Sequence, residues 1–333
     1  MSIDLNALAA ELANQLAAAP TPTRDADAGT PRASGELAVI PPAPRGVRFT
    51  TGDVRLGDFL DHTLLRPEAT RRDLERLCTE ARERKLASVC VNPIWVPVVS
   101  ELLSGSGVAP TTVVGFPLGA TATDVKVAET TLAVRQGATE VDMVVSLGAL
   151  RAGEWDEVER EVAAVVAAAT PGGALVKVIL ESALLAPMQL MQACIAVRDG
   201  GADYVKTSTG FHAAGGATPD AVALMRLAVG DSMGVKASGG IRDASTAFAM
   251  IAAGATRLGT SAGVELADAR GPGPRTLASL LRLGPQGSAG VQGASDPRSR
   301  RPAAPTPADL PAAELTGLGA PGVVADHHPP TGA

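Results

Sequence analysis

Five lysines occur in the chain, Lys85, Lys126, Lys177, Lys206 and Lys236, and every other cationic residue apart from histidine is arginine. Arginine keeps its proton in proteins, so only a lysine can serve as an amine nucleophile. Three of the five interrupt apolar runs. Lys177 lies in Leu175-Val176-Lys177-Val178-Ile179-Leu180, Lys206 in Tyr204-Val205-Lys206-Thr207-Ser208-Thr209-Gly210, and Lys236 in Gly234-Val235-Lys236-Ala237-Ser238-Gly239-Gly240. Lysine is almost never fully buried without a partner. Asp142, in Glu140-Val141-Asp142-Met143-Val144-Val145, has the same problem with the opposite charge and is the obvious partner. Crowded ammonium groups in a partly desolvated site favour the neutral amine, which is what a Schiff-base lysine needs near neutral pH. On physical grounds alone, a buried ion-pair network that only fixes the fold is the alternative.

Small residues follow these charges. Thr207-Ser208-Thr209-Gly210, Ala237-Ser238-Gly239-Gly240 and Gly259-Thr260-Ser261-Ala262-Gly263 expose backbone N–H groups and add hydroxyl donors. Such strings suit an anion such as phosphate; ordinary tight turns are the other reading.

The elements that must position these groups alternate regularly. Apolar runs fall at 57–64, 88–91, 111–116, 140–145, 174–180, 203–207, 234–237 and 256–259. Helical patterns fall at 70–86, 93–103, 123–136, 154–169, 186–198, 218–229, 243–253 and 274–283, with Thr70 and Thr218 as expected N-caps. Eight strand–helix units in this length predict an α/β fold, a closed (β/α)8 TIM barrel over residues 55–283. A doubly wound open sheet would usually carry a glycine-rich turn after its first strand, and none is present. Alternate residues of barrel strands point inward, so three lysines on the fifth, sixth and seventh strands could converge near the C-terminal mouth.

Residues 1–54 and 284–333 have a different composition. Leu5, Leu8, Leu12 and Leu16 predict a short amphipathic helix over 5–16, and Pro, Ala, Arg and Gly dominate 19–48. From about residue 285, Pro, Gly, Ala and Ser prevail, and both extensions are expected to be disordered apart from that helix. His327 and His328 in the tail predict a solvated end rather than a metal site. The three cysteines, Cys78, Cys90 and Cys194, match no zinc or redox spacing and predict reduced thiols in a cytoplasmic protein. A net charge of −6 without a basic stripe argues against nucleic acid, and no apolar run is long enough to span a membrane.

The strings around Asp142, Lys206 and Lys236 resemble signatures of the deoxyribose-phosphate aldolase family, a class I aldolase family. So do Asp61-His62-Thr63-Leu64-Leu65, Cys90-Val91-Asn92-Pro93, Val114-Gly115-Phe116-Pro117-Leu118-Gly119 and Gly259-Thr260-Ser261, in order through about residues 57–266. The resemblance implies reversible cleavage of 2-deoxy-D-ribose 5-phosphate to D-glyceraldehyde 3-phosphate and acetaldehyde in deoxynucleoside catabolism, without metal or organic cofactor. It implies that Lys206 forms the imine, that Lys236 lowers the pKa of Lys206 and joins a proton relay, and that Asp142 moves protons with an ordered water. Asp61, Thr63 and Thr209 would lie along the sugar hydroxyls, and Gly210, Gly239, Gly240, Gly259 and Ser261 would hold phosphate. Lys177 would be a supporting charge in the substrate site, and Cys90 would line the mouth or pack as a small core residue. Some family members use a C-terminal Tyr as a proton carrier; the only Tyr here is Tyr204, inside the sixth strand, so that device is absent. The implied partners are the sugar phosphate and acetaldehyde, with neither nucleic acid nor membrane, and the implied assembly includes a homodimer.

Overall fold

A strand buried on both faces needs helices outside and a second set of side chains inside. The strand sequences here meet that need with two sets of different chemistry. In the computed structural model, residues 47, 49, 50 and 52–281 are described. The expected helix at 5–16, nearly all of the expected linker at 19–48, the tail from 285 and the His327-His328 pair lie outside the described residues.

Eight parallel strands close into a barrel: β1 Leu60–Leu64, β2 Ser88–Val91, β3 Ala109–Val114, β4 Glu140–Val144, β5 Leu175–Ile179, β6 Tyr204–Lys206, β7 Gly234–Ser238 and β8 Arg257–Thr260. Closure comes from β8 pairing with β1, with Asp61 opposite Gly259. Val89, Val91, Val141, Met143, Val176, Val178, Val205, Val235, Ala237 and Leu258 belong to the apolar core shared with the surrounding helices. The residues between them, of the other parity, carry the charges described below. Burying the first set supplies the non-directional driving force for closing the barrel; the second set cannot be buried unless its members pair.

Each main helix follows its strand: Arg71–Glu83, Val96–Leu103, Thr123–Arg135, Trp155–Ala169, Pro187–Asp199, Pro219–Val229 and Ala244–Ala252. Thr70 caps the first through a box in which its hydroxyl accepts from Asp73 N–H while the Asp73 carboxylate accepts from Thr70 N–H. Thr218 caps Pro219–Val229 by accepting from Ala221 N–H at 3.1 Å. Such caps satisfy N–H groups that the first helical turn leaves unpaired.

Three departures from the sequence expectation have local causes. A further helix, Leu147–Ala152, precedes Trp155–Ala169, capped by Ser146 and ended by Gly153 at φ 75°. Six residues are too few for a periodic signal. The first expected strand begins late, because Leu56–Phe59 forms a 3-10 turn. Among the described residues, the last expected helix, 274–283, is confined to Leu277–Leu280.

Asp53 and Val54, on the extension side of the expected boundary at residue 55, pair antiparallel with Pro272 and Gly271. This small sheet, Asp53–Arg55 with Arg270–Pro272, joins the two ends of the barrel segment. Arg55 then donates to the carbonyls of Arg84 at 2.8 Å and Lys85 at 2.9 Å.

A chain trimmed to residues 49–284 is expected to keep the thermal midpoint of the full chain. One trimmed to 57–284 loses these Arg55 bonds and the small sheet, and should melt lower by about 2–4 °C for each kcal/mol lost. Circular dichroism melting checks both. A fall in midpoint already at 49–284 would show that residues 1–48 or 285–333 contribute to the fold.

Candidate active site

The barrel interior holds a continuous ionic network instead of the branched aliphatic layers usual in such barrels. Asp142 on β4 lies at its centre. Its Oδ1 accepts from Lys177 Nζ at 2.8 Å, and its Oδ2 accepts from Lys206 Nζ at 2.7 Å and Lys236 Nζ at 2.6 Å. Lys236 also donates to Asp61 Oδ2. Lys177 reaches Glu140 Oε2 at 2.6 Å. Arg257 on β8 closes the network, donating to Asp61 Oδ1 at 2.7 Å and to both oxygens of Glu140 at 3.1 Å.

Strand register brings these groups together. Asp142 is opposite Lys177, Lys206 is opposite Lys236, and Lys236 is opposite Arg257. Glycine makes room on the last strand: a Cβ at Gly259 would lie 3.2 Å from Lys236 Cε and 3.0 Å from Ser238 Cβ.

The network separates the three lysines electrostatically. Burial pushes the Lys206 amine below its ordinary value; Asp142 opposes the shift and Lys236 adds to it. Burial also acts on Lys236, but Asp142 and Asp61 outweigh it and hold that ammonium above the ordinary value. Lys177 is likewise pulled down by burial and held up more strongly by Asp142, Glu140 and Asp61. Burial opposes ionisation of Asp142, yet Lys177, Lys206 and Lys236 keep its carboxyl well below the carboxylate range. The sequence expectation named both desolvation and a neighbouring ammonium as lowering the Lys206 pKa; burial is the larger cause and Lys236 the smaller.

A cavity of about 280 Å³ opens above the network at the C-terminal end of the strands. Of the three lysines, Lys206 and Lys236 line it. So do Thr63, Thr209, Gly210, Gly239, Gly240, Gly259 and Ser261, all expected at the site. Asp142 is sealed beneath the two lysines and reaches the cavity only through their amines.

Asp61, Lys177 and Cys90, expected along the substrate, do not line the cavity. Asp61 and Lys177 are fully buried because each neutralises partners deeper in the barrel. Cys90 packs with Leu65, Val113 and Phe116, its small-core reading, and burial pushes its thiol up to about 11. After Ser261 and Ala262 comes only a short turn, Gly263–Leu266. A single turn carries little dipole, so an anion there would depend on individual donors.

Several site residues were not singled out from the sequence. Glu140 and Arg257 are each two residues before an expected site residue on the same strand, Asp142 and Gly259, and that parity was the available signal. Arg242, exposed at the cavity rim just after Gly239-Gly240-Ile241, adds a cation to the glycine loops. Glu181, buried at the end of β5 with φ 50°, accepts from Thr209 Oγ1 at 2.7 Å and from Thr209 N–H at 3.3 Å. It fixes the loop that carries Thr209 and Gly210. Nothing in the local sequence marks a left-handed glutamate.

An amine that burial pushes towards the neutral form, beside one held charged, over a shared carboxylate and under a loop-lined cavity, is equipped for imine chemistry on a carbonyl compound. The comparisons agree. The profile of the DeoC/LacD family aldolases matches residues 59–267. The chain belongs to the DeoC/LacD aldolase family. Among similar proteins, the deoxyribose-phosphate aldolase of Brevibacillus brevis is 54% identical over 213 residues, covering 64% of this chain and 95% of the relative. That of Geobacillus sp. is 53% identical over 215 residues, covering 65% and 96%. Among solved structures, the aldolase QR15 has 38% identity and a TM-score of 0.60 over 64% of this chain and 94% of that one. The deoxyribose phosphate aldolase of Aeropyrum pernix, a tetramer, has 39% identity and a TM-score of 0.60 over 63% and 88%.

In this aldolase the glycine loops and Arg242 generate a prediction about anions. Inorganic phosphate should raise the thermal midpoint in a saturable way, since a ligand that binds only the folded state stabilises it. Ser261→Asp places a carboxylate among the donors and should abolish that shift. An undiminished shift in the variant would mean that these loops do not hold the anion.

Proposed function

We infer that the chain reversibly cleaves 2-deoxy-D-ribose 5-phosphate to D-glyceraldehyde 3-phosphate and acetaldehyde through a Schiff base on Lys206. The observation that carries the reading is the Lys206 amine: it faces the cavity, it is lowered in pKa by burial, and its neighbours Lys236 and Asp142 can exchange protons with it. The substrate follows from the curated relatives at about 50% identity, whose names specify deoxyribose phosphate.

The chemistry runs as follows. The neutral Lys206 amine adds to the C1 aldehyde of the open-chain sugar, and loss of water gives an iminium ion. A base removes the C3 hydroxyl proton, the C2–C3 bond breaks, and its electron pair flows into the iminium. D-glyceraldehyde 3-phosphate leaves, and an enamine remains on Lys206. Protonation of the enamine carbon and hydrolysis release acetaldehyde and restore the amine. The imine is the electron sink, so the reading needs neither metal nor organic cofactor. Lys236 is assigned the proton donor and acceptor role at the cavity. Asp142, sealed below, acts through the two amines; Thr63 and Thr209 are assigned to the sugar hydroxyls, and Gly210, Gly239, Gly240, Gly259 and Ser261 to the phosphate. Asp61 and Lys177 hold the network from beneath.

The same reading makes 55–283 the catalytic domain, with 1–54 and 284–333 as extensions, acting in the cytoplasm. Among the described residues, no helix is long and apolar enough to cross a membrane. A homodimer is part of the proposal. Val125 and Leu132, exposed seven residues apart on helix Thr123–Arg135, offer an apolar surface for a second copy.

Incubation with acetaldehyde and borohydride should leave a stable adduct on Lys206 alone, located by peptide mapping. Lys236→Leu should lower turnover by orders of magnitude with the fold intact, because Asp142 then serves Lys206 more fully and favours its protonated form. Lys236→Arg should also fail, since a guanidinium does not exchange protons. A label on Lys236 or Lys177, or wild-type rates in Lys236→Leu, would overturn the assignment. A protein that only binds sugar phosphates would give no reduced adduct at all.

A further inference from the structure

The ionic network contains two residues to which the reading above gives no role, Glu140 and Arg257. Arg257 does not touch the cavity with Lys206; it lines a separate opening with Asp58, Phe59, Lys85 and Thr256. Its guanidinium also stands over the Tyr204 ring at 5.8 Å.

Charge counting gives these residues a purpose. Among the described residues, the network joins three carboxylates, Asp61, Glu140 and Asp142, to four cations, Lys177, Lys206, Lys236 and Arg257. Fully ionised, it carries one uncompensated positive charge in a desolvated interior. One proton must therefore be the easiest to lose. Arg257 keeps its proton at any ordinary pH. Lys177 is bonded to Glu140 and Asp142, and Lys236 to Asp61 and Asp142. Lys206 is bonded to Asp142 alone, an oxygen that Lys236 shares. The groups acting on Lys206 are Asp142 from β4, Lys236 from β7 and Cys90 from β2. Those acting on Arg257 are Asp61 from β1, Glu140 from β4 and Tyr204 from β6, while Lys177 on β5 feels Arg257 in turn.

We propose that Arg257 and Glu140 are positioning residues of this aldolase: from the far side of the network they hold Asp61 and Lys177 and set the charge balance under which Lys206 stays a neutral amine. The proposal rests on the reading of Lys206 as the imine-forming lysine. Without Arg257 the network has three cations for three carboxylates, and a protonated Lys206 becomes part of a neutral set. Without Glu140 the positive excess grows, and Lys206 releases its proton more readily.

The test is the pH profile of kcat/KM for cleavage, whose acid limb reports the free enzyme's essential base. It is measured for the full-length wild type, Arg257→Met, Arg257→Lys, Glu140→Gln and the Arg257→Met/Glu140→Gln double variant. Titration of the substrate phosphate is common to all five and drops out of the comparison. Arg257→Met should move the limb up by roughly half a pH unit, less than the one to three units an adjacent charge produces, because Arg257 acts on Lys206 through Asp61 and Lys236. Glu140→Gln should move it down. Arg257→Lys and the double variant should return it towards the wild-type position. Shifts of the same sign in the two single variants, or a limb that stays put in Glu140→Gln, would overturn the proposal. Should Arg257→Met fail to fold, Glu140→Gln and the double variant carry the decision. Borohydride mapping in the same samples keeps the two readings apart. A label off Lys206 sinks the catalytic assignment, whereas a label on Lys206 with unmoved limbs sinks only the role of Arg257 and Glu140.

Discussion

Asp142 accepts from three lysine amines inside the barrel, and the rest of the interior is arranged to make that tolerable. Removing one partner from a buried ion pair costs about 3–5 kcal/mol, because the remaining charge is left uncompensated. The charges therefore have to arrive together, and strand register delivers them: Asp142 opposite Lys177, Lys206 opposite Lys236, Lys236 opposite Arg257. A slip of one residue in any of these strands would turn its charges outward, into the Val- and Leu-rich layer against the helices. The network thus specifies register as well as chemistry, and the apolar set on the other parity supplies the net stability.

Fold and reactivity meet in the unequal sharing of that carboxylate. Lys177 holds three carboxylates and Lys236 two, and both stay charged, while Lys206 holds one and is pushed towards the neutral form by burial. The amine that is least compensated also faces the cavity. The loops around it contribute small residues and backbone N–H groups, and Arg242 adds a cation at the rim.

Much of this was legible in the sequence. A lysine inside an apolar strand is costly enough to demand an explanation, and three on successive units demand a common one. The eight strand–helix units were plain because their apolar runs and capping residues recur, as in the Thr70 and Thr218 caps. What escaped detection depends on distance in space. Asp61 and Lys177 resembled substrate contacts, but their charges are consumed by Arg257 and Glu140, strands away in sequence. Glu181 fixes Thr209 from a left-handed conformation that no local pattern announces. The Leu147–Ala152 helix was too short for periodicity, and the turn after Ser261 too short to act as a helix end.

With only five lysines in the chain, their side chains can be followed one by one. Uniform 13C labelling at lysine Cε, with assignment by single Lys→Arg or Lys→Leu replacements, would give a titration curve for each amine in the free protein. The Lys206 signal should titrate below the ordinary lysine value of 10.5, while Lys177 and Lys236 remain protonated beyond it. A Lys206 curve at or above that value, or one that follows Lys236, would contradict the claim that the buried network keeps this one amine neutral and ready to attack.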